Sequence, residues 1–157
     1  MQYLTIATAL LSSIALTSAA PSSSSSHLTA KSCSVAYPES IGFPINYSIS
    51  QDAGATNKQD NALSFSIPSG SWGCTLRADF PAGYPIESTG DSQVYVFDSN
   101  NSQVGTITFA SPQDQIINSF TCQPQMSYRL SIGSLEQAGS VAFADIQGAG
   151  LTMTYNC

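Results

Sequence analysis

Histidine occurs once in this 157-residue chain, as His27 in a serine run. Serine and cysteine nucleophiles that work through a histidine need its ring held beside them. A lone imidazole in a low-complexity segment supplies no such base. Gly70-Ser71-Trp72-Gly73 lacks the Gly-x-Ser-x-Gly spacing of a nucleophile elbow and precedes a strand pattern, not a helix. The chain has no glycine-rich phosphate loop and no zinc-helix motif. Carboxylates remain, because glycoside hydrolysis needs only two acids across a cleft. The candidates are Asp79, Glu87 and Asp91. Asp79 lies two residues from Arg77 on one strand face, which predicts an ion pair. Glu87 and Asp91 flank Ser88-Thr89-Gly90, a turn where acids serve conformation. The expectation is no catalytic residue, no metal and no cofactor.

Trp72 and Tyr84 are the residues with binding potential. Sugar sites use exposed aromatic faces beside hydroxyl and amide groups, and either ring could supply one. A sole tryptophan beside a Gly-Cys corner more often packs against a disulfide in β-sandwiches, and that is the expected state of Trp72. Tyr84, in Pro81-Ala82-Gly83-Tyr84-Pro85, reads as a corner residue whose ring closes one end of the core.

Four cysteines, Cys33, Cys74, Cys122 and Cys157, allow three pairings. None lies at metal-ligand spacing from another. The expected pairs are Cys74–Cys122 and Cys33–Cys157, the second tying the two ends of the domain. Cys74, Cys122 and Cys157 share register with the apolar faces of their strands, which predicts bridges that staple sheets across the core.

The elements that must position these residues centre on Phe65 to Ile86. Cys74, Leu76, Ala78 and Phe80 alternate with Thr75, Arg77 and Asp79, the period-two pattern of a half-buried strand. The same pattern predicts strands over 63–67, 73–80, 93–98, 104–110, 116–122, 126–132, 140–144 and 150–156. Turn signals fall every eight to twelve residues or so, as in sandwiches and barrels. Val94-Tyr95-Val96-Phe97 is apolar on both faces, which predicts a strand covered on both sides or one at a contact surface. Gln51 to Asn61 is polar and reads as a loop. Val35, Tyr37 and Phe43-Pro44-Ile45 read as an ordered lead-in with little strand. No segment has helical periodicity. The predicted fold is an all-β antiparallel sandwich of about eight short strands, Greek-key or jelly-roll-like, with two disulfides.

Residues 1–20 read as a signal peptide: Leu4 to Leu16 is apolar, and Thr17-Ser18-Ala19-Ala20 offers a cleavage site after Ala19. The apolar run is shorter than the roughly 20 residues a membrane helix needs. A Ser-rich linker occupies 21–32, with hydroxyls suited to O-glycosylation, and a single domain spans 33–157. Charged residues are 9% of the chain and the net charge is −6. Four basic residues, Lys31, Lys58, Arg77 and Arg129, cannot neutralise a phosphate backbone or an anionic bilayer, so nucleic acid and membrane are not expected partners. With 27 Ser and 12 Thr, hydroxyls rather than charges make the polar surface. Asn46-Tyr47-Ser48 and Asn100-Asn101-Ser102 are N-glycosylation sequons, so Asn46 and Asn100 are candidate glycan carriers. Asn100, in a turn between two strands, is the better placed.

Several strings resemble a known family. Ile67-Pro68-Ser69-Gly70-Ser71-Trp72-Gly73-Cys74, Phe80-Pro81-Ala82-Gly83-Tyr84-Pro85-Ile86 and Gly150-Leu151-Thr152-Met153-Thr154-Tyr155-Asn156-Cys157 look like the fungal ubiquitin-3-binding-protein C-terminal family, the But-two domain. The likeness runs from about Phe43 to Cys157. It implies a fungal β-sandwich, often secreted and cell-wall or surface associated, with no assigned reaction and no catalytic residues to carry over. The family name also implies binding of a ubiquitin-like protein, whose compartment a signal segment would leave behind. The leading expectation is therefore a secreted, monomeric, non-catalytic protein of the cell wall or surface that binds a glycan or an extracellular protein. The alternatives are a polysaccharide hydrolase using a carboxylate pair, and a ubiquitin-like-protein binding module.

Overall fold

The computed structural model describes residues 32–39 and 45–157. The signal segment, the linker through Lys31, His27 and the Phe43-Pro44 pair lie outside the described residues. All eight segments predicted from alternation are strands, and four more join them. In chain order they are β1 (Ser34–Ala36), β2 (Ile45–Asp52), β3 (Thr56–Gln59), β4 (Asn61–Ser66), β5 (Cys74–Phe80) and β6 (Ile86–Gly90). Then come β7 (Gln93–Asp98), β8 (Gln103–Thr108), β9 (Gln113–Phe120), β10 (Gln125–Ile132), β11 (Gly139–Asp145) and β12 (Gly150–Tyr155). A 3-10 turn at Ala53–Ala55 is the one helical element among the described residues.

The four additional strands lie where a preceding proline, short length or fully exposed side chains obscured the pattern. In β2, Tyr47, Ile49 and Gln51 turn inward between exposed polar residues, a continuation of the lead-in that the proline signal obscured. All of β3 is exposed, so no alternation marks it; the turn after Asp52 folds it back onto β2. That corrects the loop reading of Gln51 to Asn61. Ser88-Thr89-Gly90 belongs to β6, not to a turn, because its backbone pairs with β11 whatever its side chains are.

Three antiparallel four-stranded sheets result: β1-β12-β5-β9, β4-β10-β7-β8 and β3-β2-β11-β6. Only β2/β3 and β7/β8 are neighbours in both sheet and sequence among the described strands. The remaining pairings join distant segments, as long-connection sandwiches do. The inner faces share one apolar core, and each sheet sends aromatic rings into it or against it. Phe143 packs at 4.6 Å on Phe109, 5.3 Å on Phe80 and 5.1 Å on Tyr47. At the other end, Tyr128 meets Phe65 at 6.3 Å and Phe120 at 5.3 Å.

The disulfides are Cys33–Cys157 and Cys74–Cys122. The staple-across-the-core expectation does not hold. Antiparallel pairing of β1 with β12 sets Ser34 opposite Tyr155, so Cys33 and Cys157 meet at an exposed sheet corner. Cys74 pairs opposite Phe120, so its bridge ties β5 to the chain just past its neighbour β9. Both bridges therefore fasten neighbours in the first sheet.

Phe143→Ala removes the ring shared by these contacts. The substitution should cost roughly 3–5 kcal/mol of stability, read as a fall in the urea midpoint. A loss below about 1 kcal/mol, the range of surface changes, would show that the cluster is not the core's centre.

Candidate functional site

Strand β7 buries Val94 and Val96, and successive side chains of a strand face opposite ways. Tyr95 and Phe97 must therefore project from the outer face of the second sheet. Pairing sets Phe97 opposite Arg129 and Tyr95 opposite Ser131 on β10. On the other side, Tyr95 faces Thr106 of β8, and an irregularity after Val96 brings Gln103 opposite Phe97. The outer face thus carries two lateral rows, Gln103–Phe97–Arg129 and Thr106–Tyr95–Ser131.

All of these residues but Thr106 line a groove of about 380 Å³ that also takes in Lys58, Asn101, Gly133 and Leu135. The two rings sit 6.4 Å apart and inclined at 64°. Arg129 lies over the Phe97 ring, 4.4 Å from its centroid. Its guanidinium donates to Asp60 Oδ2 and to Asn101 Oδ1, each at 2.5 Å. Tyr95 lies flat against Gly133, where a Cβ would come within 2.6 Å of the ring. Lys58 reaches in from β3 and donates to Ser131 Oγ at 3.4 Å. Leu135, 75% exposed, stands at the rim. No carboxylate lines the groove.

The residues singled out from sequence do not gather here. Trp72 is 55% exposed, which overturns its expected packing against the disulfide. Gly73 takes φ +65°, a left-handed turn that frees Trp72 from the inward register of Cys74. Its backbone is nonetheless fixed: Trp72 N donates to Asn156 Oδ1 at 3.1 Å, and Asn156 N donates to Trp72 O at 2.8 Å. Tyr84 closes the opposite end of β5, half-buried 5.5 Å from Phe80, with its hydroxyl donating to Ala144 O at 2.9 Å. Trp72 and Tyr84 thus flank β5 at its two ends.

The acids are likewise separate. Asp79 pairs with Arg77 at 3.3 Å, as expected, and Arg77 also pairs with Asp114 on β9. Glu87 lines a depression with Asn46, Pro85 and Ala142 but no second carboxylate. Asp91 accepts from Gln93 N at 3.1 Å, a local turn contact. No group of three or more His, Cys, Asp or Glu side chains that could hold a metal ion gathers among the described residues. Asn46 is exposed on β2, and Asn100 is exposed in the β7–β8 turn, whose backbone amides at Asn100 and Ser102 donate to Asp98.

Compared with protein-family models, with curated proteins and with solved structures, the chain finds no match. The groove therefore has to be read on its own chemistry. Its sequence signal was the doubly apolar run Val94 to Phe97, which alternation places half inside and half outside.

Asp145 escaped sequence reasoning. It ends the inward series Val141, Phe143, Asp145 and is fully buried. Oδ2 accepts from Leu151 N at 2.8 Å, while Oδ1 is buried without a hydrogen-bond partner. Gly150 makes room for it: a Cβ there would lie 2.3 Å from the carboxyl. Burial pushes the Asp145 carboxyl up to about 7, against a smaller opposing pull from the Leu151 N–H. The folded state then holds a proton that the unfolded state releases near pH 4. Stability is full below that pH and falls as pH rises to about 7. Melting temperature measured from pH 4 to 8 should decline, and Asp145→Asn should flatten the decline. An unchanged slope in the variant would assign the response elsewhere.

Trp72→Ala should leave the melting point within about 2 °C, since the ring is largely solvated. Fluorescence of the single tryptophan should be red-shifted and readily quenched by acrylamide. A blue-shifted, protected emission would restore the packed position.

Proposed function

We propose that this chain is a secreted, non-catalytic binding module that takes a glycan in the groove on the outer face of the second sheet. The observation that carries the reading is the pairing of two outward aromatic rings with planar polar groups. Pyranose rings present C–H faces that stack on aromatic surfaces, and their hydroxyls pair with amides and guanidinium groups. Tyr95 and Phe97 offer the first; Gln103, Asn101 and Arg129 offer the second. The groups are held before any ligand arrives, Arg129 by Asp60 and Asn101, and Tyr95 by Gly133. Less ordering then remains to oppose binding.

Placement outside the cell is supported by the signal-like segment and by two disulfides, which persist in oxidising compartments. No helix among the described residues is long and apolar enough to cross a membrane. The resemblance to the But-two family supports the cell wall or surface of a fungus as the setting. The carboxylates favour binding over hydrolysis, because the cross-strand pair Asp79 and Asp114 is bridged by Arg77, which occupies the space a substrate would need between them. Trp72, exposed on a fixed backbone, is a second stacking surface on a different sheet.

Retention on chitin, β-glucan and mannan, together with a glycan array, tests the reading. The protein should bind at least one of these glycans, and Tyr95→Ala should weaken binding about tenfold or more with little change in melting point. Silence on every glycan would leave an extracellular protein as the ligand.

A further inference from the structure

Resting on the glycan reading of the groove, we infer that it selects a saccharide bearing one anionic substituent, seated at the Lys58 ammonium, over its neutral counterpart. The argument begins with where charge lies. The chain has ten acids and four bases, yet the groove is lined by two bases and no acid. The described cations differ in what they have left to give. Arg77 is shared between Asp79 and Asp114. Arg129 is paired with Asp60. Lys58 has no ion pair among the described residues, and its ammonium makes one long contact, 3.4 Å to Ser131 Oγ. An ammonium carries three donors, so Lys58 enters the groove with capacity unspent.

Its place matches a ring substituent. Ser131 lies directly opposite Tyr95, so the ammonium stands at the end of the Thr106–Tyr95–Ser131 row. In the pose this inference requires, a sugar stacked on Tyr95 directs its exocyclic group toward that end. Hydroxyls and amides around the ring serve neutral positions equally well, and Arg129 is already paired with Asp60; Lys58 is the cation of the lining with no ion pair to distinguish an acid from a hydroxymethyl group. The selection stops at one charge. A second acid on the ligand would meet no free cation and would feel the field of a chain with net charge −6. A single acid at contact distance feels Lys58 first, because exposed charges beyond about 8 Å are largely screened at physiological salt. A uronate carboxylate and a sulfate ester share the chemistry that Lys58 recognises.

Matched oligosaccharides on one array decide the matter: xylotetraose with and without one glucuronate, chitotetraose with and without one sulfate ester, and mannotetraose with and without one sulfate ester. For any backbone bound, the acidic member should bind about five- to tenfold tighter, as a charge-assisted hydrogen bond allows. Lys58→Gln should erase that preference, and Lys58→Arg should retain it. Folding is not at stake, since every residue of β3 is exposed. The arm that shows the preference identifies carboxylate or sulfate as the substituent. Equal binding of neutral and acidic members, or a preference that survives Lys58→Gln, overturns this inference and leaves the glycan site standing. Binding of none overturns both.

Discussion

Three sheets with no helix to cover them among the described residues have to bury their inner faces against one another, and the aromatic cluster around Phe143 is where this is done. Phe143 belongs to β11, Tyr47 to β2, Phe80 to β5, and Phe109 follows β8, so one set of rings joins all three sheets. Edge-to-face contacts such as Phe80 on Phe109, at 90°, let bulky rings fill a junction that aliphatic side chains of one sheet could not reach. The strands radiating from the cluster then have no choice about which of their faces points in.

That constraint makes the groove. Once Val94 and Val96 are committed to the core, Tyr95 and Phe97 have to stand outside, where nothing among the described residues fully covers them. The protein manages the exposure with specific contacts: Arg129 over Phe97, and Gly133 beneath Tyr95. Both rings remain half-buried. A pair of aromatic rings on a sheet's outer face costs solubility. Here the cost is limited because both rings stay half-buried against Arg129 and Gly133.

Alternation was legible in β5, β10 and β12, but not in β2, which also has one wet face, because the proline before it marks a lead-in. It failed for β3 and β6, whose outward, polar side chains carry no inside-outside contrast. Those strands exist because β2 and β11 offer unpaired backbone, a tertiary fact that no local pattern encodes. The disulfide pairing was legible, but its geometry was not, since the exposed corner of Cys33–Cys157 follows from the β1–β12 register. Trp72 misled for a related reason. The turn at Gly73 breaks the register between it and Cys74, and composition alone could not place that break. Asp145 was hidden among apolar neighbours of the right period, where an acid reads as a strand end.

The hydroxyl-rich surface has a consequence for the sheet edges. Neutral pairs such as Thr75–Ser119 at 3.3 Å and Thr89–Ser140 at 2.7 Å tie neighbouring strands without charge, so salt does not weaken them. But a surface poor in charge also lacks the usual protection of exposed edges against pairing with another chain. Here the edges protect themselves by length and by covering. β1, β3 and β6 run only three, four and five residues. The longer edges β8 and β9 close on each other, with Asn118 Nδ2 donating to Val104 O at 2.6 Å and Ile117 packed over Gly105. β4 is met by Glu39, whose N–H donates to Ser64 O at 2.8 Å while its carboxylate accepts from Ser66 Oγ at 2.6 Å. Hydrogen bonds and side-chain packing thus cover the long edges, with little charge among the contacts.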